Sequence, residues 1–171
     1  MNLLFDFTVN KDTKTIYITR EFAAGRDLVW DAFTKAEILA QWVAPKPMRI
    51  EIKELDFRVG GRWLYAMITN DGEVPVRFSM AEYLEIDPKD SFTTKNTFVD
   101  ENDKPLNSMF SITTNNFKEE GTDKTTVHIE KVFDDLAVLE WMATSGFKEG
   151  TAMGMSNLDE YFERVAAQAG A

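Results

Sequence analysis

Between residues 49 and 133 the sequence alternates apolar and polar residues in six stretches. The stretches are 49–57, 62–69, 76–86, 91–99, 107–117 and 124–133. Turn-forming residues separate them, in VGG, NDG, DPKD, DENDKP and KEEGTD. Alternation with a period of two indicates half-buried strands, and short turns of this kind join antiparallel neighbours. The pattern therefore predicts an antiparallel meander, which needs other elements to cover its apolar face.

The flanking segments predict those elements. LFDFTV and TIYITREF are separated by NKDTK, so residues 1–14 are expected to form a strand extension in a hairpin with 15–22. RDLVWDAF and the segment ending at Trp42 have helical spacing and predict two short helices. A broad apolar stripe from about Phe147 to Ala167 predicts a long amphipathic helix. We expect one α+β domain over 1–171, with a curved antiparallel sheet of about seven strands around the C-terminal helix.

The terminal helix carries Gly146, Gly150 and Gly154 at intervals of four, on one ridge. An interior glycine costs roughly 1 kcal/mol relative to alanine, so the ridge needs a reason. Close approach of the sheet is one explanation, and room for a molecule between helix and sheet is another. Gly146 can also mark a break between DDLAVLEWMAT and the main helix, whereas Gly154 lies deeper.

Five motifs occur in a defined order: REF followed by LVWDAFT, then QWVAPK, ELDFRVGGRWLYAM, YLEIDPKD and GFKEG. In this order, from about residue 15 to the C-terminus, they resemble the family homologous to the C-terminal domain of the heat-shock-protein-90 ATPase activator. That family belongs to the START-like superfamily, also called SRPBCC, polyketide-cyclase-like or Bet v 1-like. The resemblance implies a helix-grip fold, in which the long helix closes the sheet around an apolar cavity.

The chain departs from the family pattern at three places. Val43 to Pro47 replace the usual Trp-Gly-Pro-Lys-Gly, which alters one wall of the implied cavity. Gly25 stands where a proline is usual. Thr151 stands where a tryptophan is common, which removes a large side chain from the implied cavity floor.

Composition excludes several classes of function. The net charge of −10 disfavours nucleic acid and anionic membrane surfaces as partners. With no cysteine and one histidine, a thiolate nucleophile, a disulfide framework and a zinc site are not expected. The first residues lack the basic and long apolar segments of a secretory signal, and no apolar run has the length of a membrane span. We expect a cytoplasmic protein without cofactor or metal.

The titratable residues suggest no catalytic constellation. His128 is predicted on the polar face of its strand, opposite Val127 and Ile129. Glu82 shares its alternation with Phe78 and Met80, so it points inward if that register holds. A β-bulge near Ala81 would turn it outward, and the sequence leaves both readings open. We expect no catalytic residues.

The predicted binding site is a cavity between the sheet and the terminal helix. Trp63, Tyr65 and Met67 would form one aromatic and methionine-rich wall opposite Thr151 and Gly154. Met153 or Met155 filling the space is the alternative. The full set of expected lining residues is Trp30, Phe33, Trp42, Trp63, Tyr65, Met67, Phe78, Met80, Glu82, Phe98, Thr151, Gly154, Met155 and Leu158.

Three functions fit these features. The first is non-catalytic binding of an apolar or amphipathic small molecule. The second is a protein-interaction module, with chaperone contact implied only by the resemblance, or a homodimer using an outer patch of Leu64, Ala66 and Ile68. The third is a cyclase- or hydrolase-type enzyme that uses the same cavity.

Overall fold

The computed structural model describes residues 2–69, 75–106 and 109–170, and only the backbone of residues 75 and 76. The predicted NDG turn lies outside the described residues. The strands are β1 Phe5–Asn10, β2 Thr15–Phe22, β3 Arg49–Leu55, β4 Arg62–Ile68, β5 Pro75–Asp87, β6 Ser91–Val99, β7 Ser111–Glu119 and β8 Thr125–Phe133. They form one sheet in the order β1-β2-β8-β7-β6-β5-β4-β3. Every neighbouring pair is antiparallel.

The helices are α1 Arg26–Thr34, α2 Ala36–Trp42, α3 Leu136–Thr144 and α4 Phe147–Ala169. The Asp135 carboxylate caps α3 by accepting the Ala137 backbone N–H at 2.7 Å. Gly146 separates α3 from α4 with φ of 92°, a left-handed conformation that glycine adopts readily. The predicted α+β helix-grip fold is confirmed, with α4 two residues longer than predicted.

A single aromatic core fills the end of the sheet covered by α1 and α2. The Trp30 ring meets the rings of Phe57, Phe92 and Phe117 edge-on, with centroids 5.8, 5.8 and 5.1 Å apart. The buried Trp42 indole donates its Nε1–H to the Ala32 carbonyl at 2.8 Å. Phe33 packs between Trp42 and Phe117. Since these rings contact one another directly, this end of the fold is closed by packing.

The glycine ridge of α4 faces α2 and not the sheet, so the expectation for Gly154 is wrong. A Cβ at Gly154 would lie 3.0 Å from the Trp42 carbonyl oxygen and 3.2 Å from that of Val43. The neighbouring Asn157 amide donates to the Ala44 carbonyl at 3.1 Å. Glycine here allows the helix to approach the C-terminal backbone of α2 closely. Met155 and Leu158 lie on the sheet side and belong to the main core.

The outer, convex face of the sheet carries a second apolar cluster of Leu64, Met80 and Val99, with Phe78 packed against it. Leu64, Ala66 and Ile68 are buried, so the predicted exposed patch for a homodimer is wrong. The turn after β6 folds over this side, because the Asp103 carboxylate lies 2.7 Å from the Lys53 ammonium. Because this turn covers part of the convex face, the strand residues on that part of the face are also apolar.

Candidate functional site

The helix-facing, concave side of the sheet is defined by its register. Directly paired residues of antiparallel neighbours point to the same side. Trp63 pairs with Ala81, and Leu64 pairs with Met80. Trp63 packs against the main core, whereas Leu64 belongs to the convex cluster. The concave side of β4 therefore carries Trp63, Tyr65 and Met67, and that of β5 carries Arg77, Ser79, Ala81 and Tyr83.

Phe78, Met80 and Glu82 consequently lie on the convex side, and their predicted place in the cavity wall is wrong. Glu82 pairs with Arg62 on one side and Lys95 on the other. The register between β5 and β6 shifts between Tyr83 and Glu85, and that between β4 and β5 shifts between Arg77 and Pro75, so neither shift lies at Ala81. The apolar alternation of β5 thus marks the convex cluster, while the concave residues Arg77, Ser79 and Ala81 are small or polar and Tyr83 joins the main core.

The concave side remains partly open towards α3. Trp63, Tyr65, Met67 and Phe98 are half-buried, although the convex Leu64, Ala66 and Ile68 are fully buried. The rings of Trp63 and Tyr65 stack with centroids 4.3 Å apart. Burial raises the pKa of the Tyr65 hydroxyl, and its hydrogen bond with Ser79 opposes this effect. This wall is aromatic but presents polar atoms.

A cleft of about 700 Å³ lies between the ends of β5 and β6 and helix α3. The Arg77 guanidinium carbon is 4.9 Å from the Phe98 ring centroid and 5.7 Å from that of Trp141 on α3. It thus joins an aromatic ring of the sheet to one of the helix. The other lining residues are Phe78, Val99, Asp100, Glu101, Leu106, Ala137 and Val138. Phe78 reaches this cleft from the convex side.

A row of polar side chains continues the concave side from β6 to β8. Thr94 pairs with Thr113, and Thr113 pairs with Lys131. The Lys131 ammonium donates to the Thr113 hydroxyl at 3.1 Å and lies 5.7 Å from the Phe133 ring centroid. No carboxylate of the described residues forms an ion pair with it. Burial lowers the pKa of Lys131 to about 8.

A hydrogen-bond donor without an acceptor lies on β4. The Nε1–H of Trp63 is buried and has no hydrogen-bond acceptor among the described residues. Buried donors of this kind are uncommon, since an unpaired polar group costs about 1–3 kcal/mol. The Trp63 Nε1–H, which lacks an acceptor, and the Lys131 ammonium, which lacks a carboxylate partner, are both hydrogen-bond donors on the concave side.

We expect replacement of Lys131 by methionine to stabilise the protein at pH 7. The ordinary pKa of 10.5 falls to about 8 in the fold, and each pKa unit corresponds to about 1.4 kcal/mol, so the gain is at most roughly 3 kcal/mol. Above pH 8 the folded protein releases this proton while the unfolded chain keeps it until about pH 10.5, so raising the pH favours the folded wild type. Urea unfolding at pH 7 and pH 10 should show the advantage of Lys131→Met narrowing. An advantage that stays constant with pH would contradict this assignment.

His128 lies on the convex side, as predicted, and is exposed. Its Nδ1 is 3.3 Å from the Thr19 hydroxyl oxygen. Within the described parts of the chain, no three histidine, aspartate or glutamate side chains are grouped to hold a metal ion. In the same parts, no helix has the length and apolarity needed to cross a membrane.

Phe78, Met80 and Glu82 lie on the convex side and Gly154 lies against α2. The other predicted site residues lie in the following places. Trp63, Tyr65, Met67 and Phe98 lie on the open concave side, and their role in binding stays a prediction. Trp30, Phe33, Trp42, Met155 and Leu158 are core residues, and Thr151 is half-buried on α4. The sequence analysis missed Arg77, Lys131, Val138 and Trp141. The alternation could have indicated two of them. Arg77 is in phase with Ser79 and Ala81, and Lys131 is in phase with Ile129 and Phe133.

An antiparallel sheet wrapped on a terminal helix is the helix-grip architecture of the START-like superfamily. Residues 23–163 match the family described as Activator of Hsp90 ATPase homolog 1-like protein, and the chain belongs to this family. No protein of curated function matches the chain. Family and fold together support a ligand-binding or co-chaperone-like domain.

Solved structures share this fold. Protein Ms6760 from Mycobacterium smegmatis is 23% identical, with a TM-score of 0.84 over 96% of this chain and 99% of that one. A protein from Staphylococcus epidermidis is 26% identical, with a TM-score of 0.79 over 92% and 94%. The AHSA1 protein from Silicibacter pomeroyi is 16% identical, with a TM-score of 0.69 over 87% and 97%. At these sequence identities, the similarity shows a shared fold.

Proposed function

We propose that the protein is a non-catalytic binding protein for an apolar or amphipathic small molecule. The molecule lies between the concave side of the sheet and α3, and the cleft beside Arg77 and Trp141 is its mouth. Residues 1–171 form one START-like domain that acts in the cytoplasm. Family membership favours a non-catalytic role.

The cleft is the observation that carries this proposal. Its volume of about 700 Å³ falls within the range of about 300–1,000 Å³ that is usual for small-ligand sites. Apolar side chains make up most of its lining, and Arg77, Asp100 and Glu101 supply its charged groups. Trp141 is 48% exposed. Covering a large aromatic ring of this kind with a ligand is favourable, because it removes apolar surface from water. An apolar body with one polar group suits such a lining.

We expect the uncharged dye N-phenyl-1-naphthylamine to bind with saturable fluorescence enhancement. Trp141→Ala should weaken binding about tenfold, because truncating a central aromatic anchor costs at least about 1.4 kcal/mol. Leu136→Ala is the matched control, since Leu136 is an exposed apolar residue of the same helix that does not line the cleft. Absence of saturable enhancement, or equal weakening by both variants, would contradict the proposed site.

The alternative of a co-chaperone-like module is favoured by one feature only. Leu106 and Trp141, exposed by 63% and 48%, stand at the rim of the cleft and would suit an apolar segment of a partner protein. Contact with a chaperone otherwise rests on family membership. Dye binding that is unaffected by Trp141→Ala, combined with chaperone association that this variant abolishes, would favour the module.

A further inference from the structure

The concave side of the sheet is cationic in a protein whose net charge is −10. The register places Arg20, Arg77 and Lys131 there, whereas the acidic residues of β3 and β5 lie on the convex side. Arg20 is neutralised by Asp159 of α4. Among the described residues, neither Arg77 nor Lys131 has an ion-pair partner. The cleft itself also carries the carboxylates of Asp100 and Glu101, so the positive charge that selects for an anion is that of Lys131 and Arg77 on the concave side.

Building on the proposed function, we propose that the ligand is an amphipathic anion, a carboxylate with an apolar tail, and that Lys131 binds its carboxylate. Thr113 fixes the ammonium through its hydroxyl at 3.1 Å. A carboxylate only accepts hydrogen bonds, so it matches the unpaired donors that the protein presents. Retaining a half-buried unpaired lysine is costly for stability, which is typical of a residue kept for binding.

The geometry of the sheet connects Lys131 to the cleft. Phe98, at the cleft, is four residues along β6 from Thr94, and Thr94 is two strands from Lys131 through Thr113. Strand dimensions make this about 13 Å along β6 and about 10 Å across the sheet. Because the Lys131 ammonium already reaches Thr113 on β7, a medium-length acyl chain spans the separation that remains. The tail therefore lies in the cleft and the carboxylate lies under α3.

The test compares decanoate with 1-decanol, which have the same chain length and differ in charge. In displacement of N-phenyl-1-naphthylamine at pH 7, decanoate should act at a concentration at least tenfold lower than decanol. In Lys131→Met, decanoate and decanol should displace the dye at equal concentrations. In Lys131→Arg, the preference for decanoate should remain. Lys95→Met is the matched control, because Lys95 lies over the Phe110 ring on the convex side, 4.6 Å from its centroid. It should leave the preference unchanged.

The thermal shift produced by decanoate gives a readout independent of the dye. Decanoate should raise the melting temperature of the wild type and of Lys95→Met, but not of Lys131→Met. Equal potency of decanoate and decanol in the wild type would overturn the anion assignment while leaving the proposed function intact. A preference that survives Lys131→Met but is lost in Arg77→Met would overturn the role of Lys131. Failure of both compounds to displace the bound dye or shift the melting temperature would overturn the anion assignment, whereas absence of saturable dye binding would overturn both proposals.

Discussion

Replacing Asp159 with alanine is expected to lower the free energy of unfolding by about 3–5 kcal/mol. The Arg20 guanidinium makes two hydrogen bonds to the Asp159 carboxylate, and the Arg20 side chain is only 7% exposed. Removing the carboxylate leaves a buried, uncompensated positive charge beside the Phe22 ring. For a chain of this size the melting temperature should fall by roughly 6–20 °C. Thermal unfolding followed by circular dichroism measures it.

Glu160→Ala is the control for this prediction. Glu160 is the next residue of the same helix, and its carboxylate lies 2.8 Å from the Lys46 ammonium. Both side chains of that pair are more than half exposed, so the loss should be below about 1 kcal/mol. Equal losses in the two variants would show that the Arg20–Asp159 pair is not the buried link between β2 and α4.

Gly154→Leu should lower the free energy of unfolding by about 1–3 kcal/mol through overpacking. The obstructing atoms are the backbone carbonyl oxygens of Trp42 and Val43, which cannot rotate away as a side chain does. The gain in helix propensity of at most about 1 kcal/mol does not offset this cost. Urea unfolding gives the comparison. The variant should leave dye binding at the cleft unchanged, since α2 and not the ligand faces this position.

Two alanine variants test whether α4 rejects a side chain at any glycine of the ridge or only where it closely approaches α2. A Cβ at Gly150 would have only the Pro45 Cγ within 4 Å, at 3.8 Å. Gly150→Ala should therefore stabilise the protein by up to about 1 kcal/mol. Gly154→Ala should fail to gain this and should lose stability. Stabilisation by both would contradict the close contact between α2 and α4.

The order of elements could be predicted because alternation, turn residues and the terminal amphipathic stripe agree with one another. The sequence could not predict which residues of β5 face the helices. Phe78 and Met80 alternate as core residues do, but a sheet covered on both sides has two apolar faces, and periodicity alone does not identify the one that faces the helices. The signal on the concave side was the set of small and polar residues, Ser79 and Ala81.

The candidate site was misplaced for a related reason. A glycine in a helix shows that something approaches closely or that space is left, and the sequence does not name the neighbour. At Gly154 the neighbour is the backbone of α2. Lys131 was missed because a lysine among alternating apolar residues is ordinarily assigned to solvent. The position of Lys131 near the cleft depends on how the four strands from β5 to β8 pair. A local sequence pattern does not reveal that pairing.

The indole N–H resonances in a ¹H–¹⁵N correlation spectrum test the binding account most directly, because the four tryptophans report from different places. Trp141 lines the cleft, and Trp63 carries an unpaired Nε1–H on the concave side. Trp42 is bonded to Ala32, and Trp30 lies in the aromatic core. On titration with decanoate, assigned by single Trp→Phe variants, the Trp63 and Trp141 resonances should shift in a saturable manner while those of Trp30 and Trp42 stay in place. Unchanged Trp63 and Trp141 resonances at high decanoate, or equal shifts of all four, would contradict binding between the concave side and α3.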